Sequence, residues 1–247
     1  MSEPVRDDQP AAELPEEVPQ QRPRRRSGLV AFLRETAIVL VTAIVLSLLI
    51  KTFLVQAYFI PSGSMESTLE VNDRVLVSLL EPGPFALDRG DIIVFKDPGD
   101  WLGGQVAPTR SAAQQTVVNV LTFIGVFPHD SGKHLIKRII GLPGDHVVCC
   151  DADGRITVNG VGLDEDYLDT GTEPSAMQFD VVVPDDSVWV MGDNRDESAD
   201  SRYHQDLNKG ALKEEFIVGR AVLLFWPFSR FTTLSNHERV FADVPTP

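Results

Sequence analysis

One run of sequence constrains everything around it: Thr36–Val55, TAIVLVTAIVLSLLIKTFLV, with Lys51 as its sole charge. As a helix it would measure about 30 Å, the thickness of a bilayer's hydrocarbon core. Lys51 stands near one end, where its aliphatic stem lets the ammonium reach the interface. Arg22, Arg24, Arg25 and Arg26 flank the run on its N-terminal side, and acidic sequence follows it. That asymmetry predicts one transmembrane helix, 36–55, with its N-terminus cytoplasmic and the remainder extracytoplasmic, in a plasma membrane. A buried core helix would not carry flanks so basic and so rich in Pro and Glu. A cleavable secretory signal is the other alternative, because Val55-Gln56-Ala57 places small residues at −3 and −1 of a cut after Ala57. The run is long for such a signal.

The helix divides the chain. Residues 1–35, dominated by Pro, Glu, Gln and Arg, are expected to be a disordered cytoplasmic segment. Residues 1–55 hold seven acidic and seven basic side chains, so the whole net charge of −14 falls on residues 56–247. A region so acidic is a poor partner for a phosphate backbone, and no nucleic-acid partner is expected.

From Tyr58 onward short apolar runs alternate with turn formers. The runs are Val75–Leu80, Asp91–Phe95, Leu135–Ile140, His146–Cys150, Arg155–Val158, Phe179–Val183, Val188–Met191 and Ile217–Phe225. Pro82-Gly83, Pro143-Gly144-Asp145, Asp153-Gly154 and Asn159-Gly160 punctuate them, and Asp153-Gly154 signals a hairpin. The fold class is therefore mainly β, an antiparallel β domain on one N-terminal transmembrane helix. The domain is expected over 56–230, with an insertion near 99–133 and a C-terminal tail, 231–247. The two cysteines are neighbours, Cys149 and Cys150. They read as two thiols on opposite faces of a strand, with a vicinal disulfide as the alternative.

Three segments hold residue types that pure structure does not favour. In Ile60-Pro61-Ser62-Gly63-Ser64-Met65, proline and glycine hold hydroxyls beside free backbone N–H groups, as a nucleophile with an oxyanion site requires. In Leu135-Ile136-Lys137-Arg138 a lysine stands in an apolar strand, which is costly unless it is paired or uncharged. Neutral lysine is a competent base, while Arg138, alternating to the other face, would keep its charge. The third segment, Gly192–Arg202, is dense in side chains that fix loop shapes. It is not an EF-hand, since His204 stands where the twelfth-position glutamate belongs.

Together these segments resemble the bacterial type I signal peptidases, membrane proteases with a Ser/Lys dyad, from the anchor to about Phe228. The resemblance implies Ser64 as nucleophile, Lys137 as general base and Ser62 as a hydroxyl oxyanion donor. It implies that Ser198 holds the lysine amine in line, with Asp200 and Arg202 as supporting charges. Arg89–Phe95 matches a structural box. The implied substrate is a translocated preprotein whose signal peptide lies extended against Phe59, Ile60, Pro61, Met65, Leu135 and Ile136. Small residues at −1 and −3 would enter shallow apolar pockets. No metal or cofactor is needed, and the partners are signal peptides, the lipid bilayer and a nearby secretion translocon. Ser67 and Glu197 depart from the family's usual proline and small polar residue.

Three rivals remain. Five histidines are present, but none lies in a GxSxG elbow or an HExxH helix. Self-cleaving repressors use a similar serine and lysine, yet they are soluble and carry a DNA-binding domain. A non-catalytic membrane-tethered scaffold would be indifferent to Lys137. Separately, Gln114–Phe127 with Trp101, Trp226 and Phe228 could form an apolar surface resting on the bilayer.

Overall fold

A computed structural model describes residues 28–99, 101 and 134–247. The arginine cluster, most of the 99–133 insertion and Gln114–Phe127 lie outside the described residues. The chain divides into two units, residues 1–44 and 45–247.

Helix α1 (Gly28–Phe53) contains the apolar run but begins eight residues before Thr36. Its first turns, GLVAFLRE, include Arg34 and Glu35. Both are good helix formers, so the charges bound the apolar stretch without ending the helix. At 26 residues it is about 39 Å long, and no residue of it is buried in the protein. By length and composition it can cross a membrane. It stops at Phe53, and Val55, counted from sequence as its last residue, opens a strand instead.

Among the described residues of 45–247, two antiparallel sheets carry the architecture. The larger is built from β1 (Val55–Phe59), β2 (Arg74–Ser78), β3 (Ile92–Lys96), β4 (His134–Gly141), β9 (Ser187–Met191), β10 (Leu212–Lys213), β11 (Ile217–Trp226) and β12 (Thr232–Thr233). Its spatial order is β1-β2-β11-β3-β4-β9-β10, with β12 on β11. The smaller, β7-β6-β5-β8, comprises β5 (His146–Cys149), β6 (Ile156–Val158), β7 (Val161–Gly162) and β8 (Phe179–Val182). All eight predicted runs are strands, with ends within two residues of expectation.

The central strands are covered on both faces. In β3, Ile92 and Val94 join a core with Tyr58, Ile60, Met65 and Ile136, while Ile93 and Phe95 join another with Leu135, Ile139 and Val190. The period-2 alternation of a strand divides one apolar run between two cores. β4 therefore reads as nearly continuous apolar sequence, with every residue after His134 buried.

Asn159 and Gly160 both have positive φ, 50° and 82°, as a two-residue turn between twisted antiparallel strands demands. The cysteines correct the first expectation. Cys149 ends β5, Cys150 lies beyond it, and the two are joined in a disulfide, because the strand stops before a second thiol can alternate to the far face. The 231–247 segment holds a one-turn helix, α2 (Glu238–Phe241), and buries Phe241 and Val244. The Pro245 carbonyl accepts from Arg89 Nη2 and from Asn159 Nδ2, each at 3.0 Å.

Candidate active site

The loop after β1 is short and internally bonded. Glu66 N–H donates to Gly63 O at 3.0 Å, and Leu69 N–H to Met65 O at 2.7 Å. Met65 and Leu69 have no exposed surface and anchor the loop in the core. Ser64 is thus held at the loop's inner side, 7% exposed.

β4 carries Lys137 to the same point. Its Nζ lies 2.6 Å from Ser64 Oγ and donates to Ile136 O at 3.0 Å. At 3% exposure the ammonium is poorly solvated. Burial pushes the lysine from 10.5 to about 8; Asp200 and Asp193 pull it back up, and the Arg202 guanidinium presses it down. A tenth of the amine is then already neutral at pH 7. Lysine and serine can share a proton here near physiological pH.

The third segment, following β9, builds the surroundings. Asp200 Oδ2 accepts from Ser198 Oγ at 2.7 Å and from Gly192 N–H at 3.0 Å. Arg202 Nε and Nη2 donate to the two Asp200 oxygens at 2.8 and 2.9 Å. Asp200 and Arg202 therefore brace this loop. Ser198 departs from expectation: its hydroxyl donates to Asp200, and the hydrogen bonds of Lys137 go to Ser64 and Ile136. The Ser198 proton is directed to the charged Asp200 carboxylate, the strong acceptor of this loop. Gly192 is required where it stands. A Cβ there would meet Ser198 Oγ at 2.2 Å and Ser64 O at 2.3 Å.

The other candidates divide into two groups. Phe59 is half-buried and Pro61 and Ser62 are exposed beside Ser64. Ile60 and Met65, expected to touch substrate, are 2% and 0% exposed and face the core, so they support the loop from beneath. Leu135 and Ile136, 8% and 6% exposed, lie on the part of β4 that β3 pairs on one side and β9 leaves free on the other. Among the described residues β1 pairs with β2 alone. The Tyr58 ring meets the His134 ring edge-on at 5.3 Å, which brings the end of β1 close to the start of β4.

Sequence reasoning assigned no role to Asn194. Its Nδ2 donates to Gly63 O at 3.0 Å and its backbone N–H to Ser64 O at 3.2 Å. The loop's polar composition was visible, but the pairing of positions 131 residues apart was not. Trp101 is 4% exposed and stacks on His204 at 4.5 Å, so it leaves the apolar surface expected of it. Trp226 and Phe228 remain exposed, 43% and 74%, with their rings 5.0 Å apart.

A serine hydroxyl against a buried, easily neutralised amine, on a mainly antiparallel β scaffold, is the chemistry of a serine hydrolase. Residues 33–226 match the family described as signal peptidase, peptidase S26. Signal peptidase I of Mycobacterium tuberculosis (strain H37Rv) is 40% identical over 231 residues, which cover 85% of this chain and 76% of that protein. A probable signal peptidase I of Mycobacterium leprae (strain TN) is 36% identical over 237 residues, covering 85% and 80%. A probable signal peptidase I-2 of Synechocystis is 37% identical over 198 residues, covering 80% and 75%. The chain belongs to the signal peptidase S26 family and is a serine endopeptidase.

Proposed function

We propose that the chain is a membrane-anchored endopeptidase that removes N-terminal signal peptides from translocated preproteins, with Ser64 as nucleophile and Lys137 as general base. The observation that carries this reading is the 2.6 Å contact between a buried lysine amine and a serine hydroxyl. The family and the relatives' shared description support the substrate class.

Neutral Lys137 accepts the Ser64 Oγ proton as Oγ attacks the scissile carbonyl. The Ser64 backbone N–H and the Ser62 hydroxyl receive the developing oxyanion, an effect worth about 3 kcal/mol per donor. Lys137 then returns the proton to the leaving amine, and the acyl ester forms on Ser64. Water, deprotonated by the same lysine, releases the product. Asp200, Arg202 and Ser198 keep the flanking loop in place. The signal peptide lies extended along the strand edges at 59–61 and 135–136 that face away from β2 and β3 and carry no strand among the described residues, where main-chain bonding reads no sequence and the side-chain pockets require small residues at −1 and −3. Helix α1 anchors residues 56–230 outside a plasma membrane, with the N-terminus cytoplasmic, near the translocon. Exposed Trp226 and Phe228 would meet lipid headgroups.

Cleavage of a signal-peptide substrate with an Ala-x-Ala site, measured from pH 6 to 10, tests the reading. Wild-type kcat/KM should rise through an apparent pKa near 8. Ser64→Ala and Lys137→Ala should each lose about 10⁴-fold or more. Activity that survives Lys137→Ala would overturn it.

A further inference from the structure

We propose that Asn194 is a positioning residue that aims the Ser64 backbone N–H at the developing oxyanion. The inference rests on the Ser64–Lys137 reading above and adds a residue to it.

Gly63 C=O and Ser64 N–H belong to one peptide group. That group is planar and trans, so its oxygen and its N–H point in opposite directions. Whatever fixes the oxygen fixes the line of the N–H. Gly63 O accepts two hydrogen bonds, from Asn194 Nδ2 and from Glu66 N–H, both at 3.0 Å. The next peptide is held as well, because Ser64 O accepts from Asn194 N–H at 3.2 Å. One residue therefore grips the peptides on both sides of the nucleophile, through its side chain and its backbone.

Asn194 is itself firmly mounted. Before it stands Asp193, in a bidentate pair with Arg138 at 2.8 and 2.6 Å. After it stands Arg195, ion-paired with Glu165 and donating to Gly192 O at 3.2 Å. Both neighbours are 2% exposed, while Asn194 is half-buried and turned to the serine loop. A donor fixed between two buried ion pairs can orient a dipole before substrate arrives. Oxyanion catalysis needs that preorganisation, because an N–H that must rotate into place during reaction spends part of its stabilisation on the rotation.

The test uses the full chain in detergent micelles, with Asn194→Ala and the nearly isosteric Asn194→Leu, which keeps the volume but lacks the donor. Both should lose about 10²-fold in kcat, the scale of a misaimed reacting group, with KM changed less than about threefold. The apparent pKa of kcat/KM should stay near the wild-type value, since Asn194 carries no charge. A signal-peptide aldehyde, which forms a tetrahedral adduct with Ser64, reads the oxyanion site directly. Its affinity should fall in parallel with kcat, whereas the matching peptide alcohol should bind as it does to wild type. If either variant turned over at the wild-type rate, or if alcohol and aldehyde affinity fell together, the proposal would be overturned. A shifted pKa with aldehyde binding intact would overturn it too, by placing the effect on Lys137. Activity in a parallel Ser64→Ala control would instead sink the dyad reading, so the two failures are distinguishable.

Discussion

Two cations stand side by side on β4, and the molecule treats them oppositely. Arg138 is wholly buried among groups that keep it charged: a bidentate Asp193, the carbonyls of Gly90 at 2.8 Å and Ser235 at 3.3 Å, and the Tyr167 ring 4.1 Å from its carbon. Burial works against its charge, but Asp193 outweighs burial and its pKa is raised. Lys137 is buried almost as deeply, yet a hydroxyl and a carbonyl are its hydrogen-bond partners. Asp200, the first of the carboxylates acting on it, is already bonded to Arg202, Ser198 and Gly192. A buried charge can be matched or discharged. Arg138 is matched, and Lys137 is left to discharge.

Breaking the matched side should have the largest effect. Asp193→Asn would leave the Arg138 guanidinium buried against a neutral amide. Removal of one partner from such a pair costs about 3–5 kcal/mol. Denaturant unfolding of the full chain in micelles should show that loss. Because Asp193 also holds the Lys137 pKa up, the rise of activity with pH should move to lower pH in the variant. A variant of wild-type stability would erase the contrast between the two sites.

The discharged side should respond in the other direction. Lys137→Met should inactivate the enzyme and stabilise it. The depression from 10.5 to about 8 corresponds to about 3 kcal/mol. Between those two values the unfolded chain holds a proton that the folded chain does not, so Lys137 makes stability rise with pH there. Below pH 8 the cost of its burial is fully present. The stability gap between Lys137→Met and wild type should therefore be about 3 kcal/mol at pH 7 and close toward pH 10.5. A gap that does not change with pH would show that Lys137 is not destabilised by burial.

Much of this contrast was legible in sequence. A lysine and an arginine adjacent in an apolar run already posed the question of which one stays charged, and the eight strands followed from short apolar runs bounded by turn formers. What sequence could not supply were partners distant along the chain. Ser198 was expected on the lysine, but its hydroxyl proton turns to Asp200, two residues along its own loop, and only the fold of that loop decides which group it meets. Asn194 was one polar residue among many in its loop. Ile60 and Met65 were expected against substrate on the resemblance alone, yet a tight loop turns apolar side chains inward. Phe241 and Val244 lie near the C-terminus, where sparse apolar residues resemble a tail, and they are buried in one core with residues of both sheets, Val147 and Trp189 among them. Trp101 was hidden for the same reason, since its cover, His204, is a hundred residues away.

The finest probe of the contrast is Thr68, which lies in the serine loop but bonds to the arginine's side. Its Oγ1 donates to Asp193 Oδ2 at 2.6 Å, and Arg138 Nη2 reaches the same hydroxyl at 3.4 Å. Thr68→Val keeps the shape and removes both bonds of the hydroxyl, the short one to Asp193 and the long one from Arg138, leaving the bidentate pair whole. Loss of such a bond should cost about 1–3 kcal/mol, nearer the lower figure because Asp193 keeps Arg138 as donor. If the two sites are separately managed, kcat/KM and its apparent pKa should hold while stability falls. If instead the pKa moves with stability, Thr68 transmits the charge of one site to the other through Met65, Glu66 and Ser67, which separate it from Ser64, and the matched and discharged cations form a single coupled unit. Thermal unfolding and the pH profile, measured on one preparation, separate these outcomes.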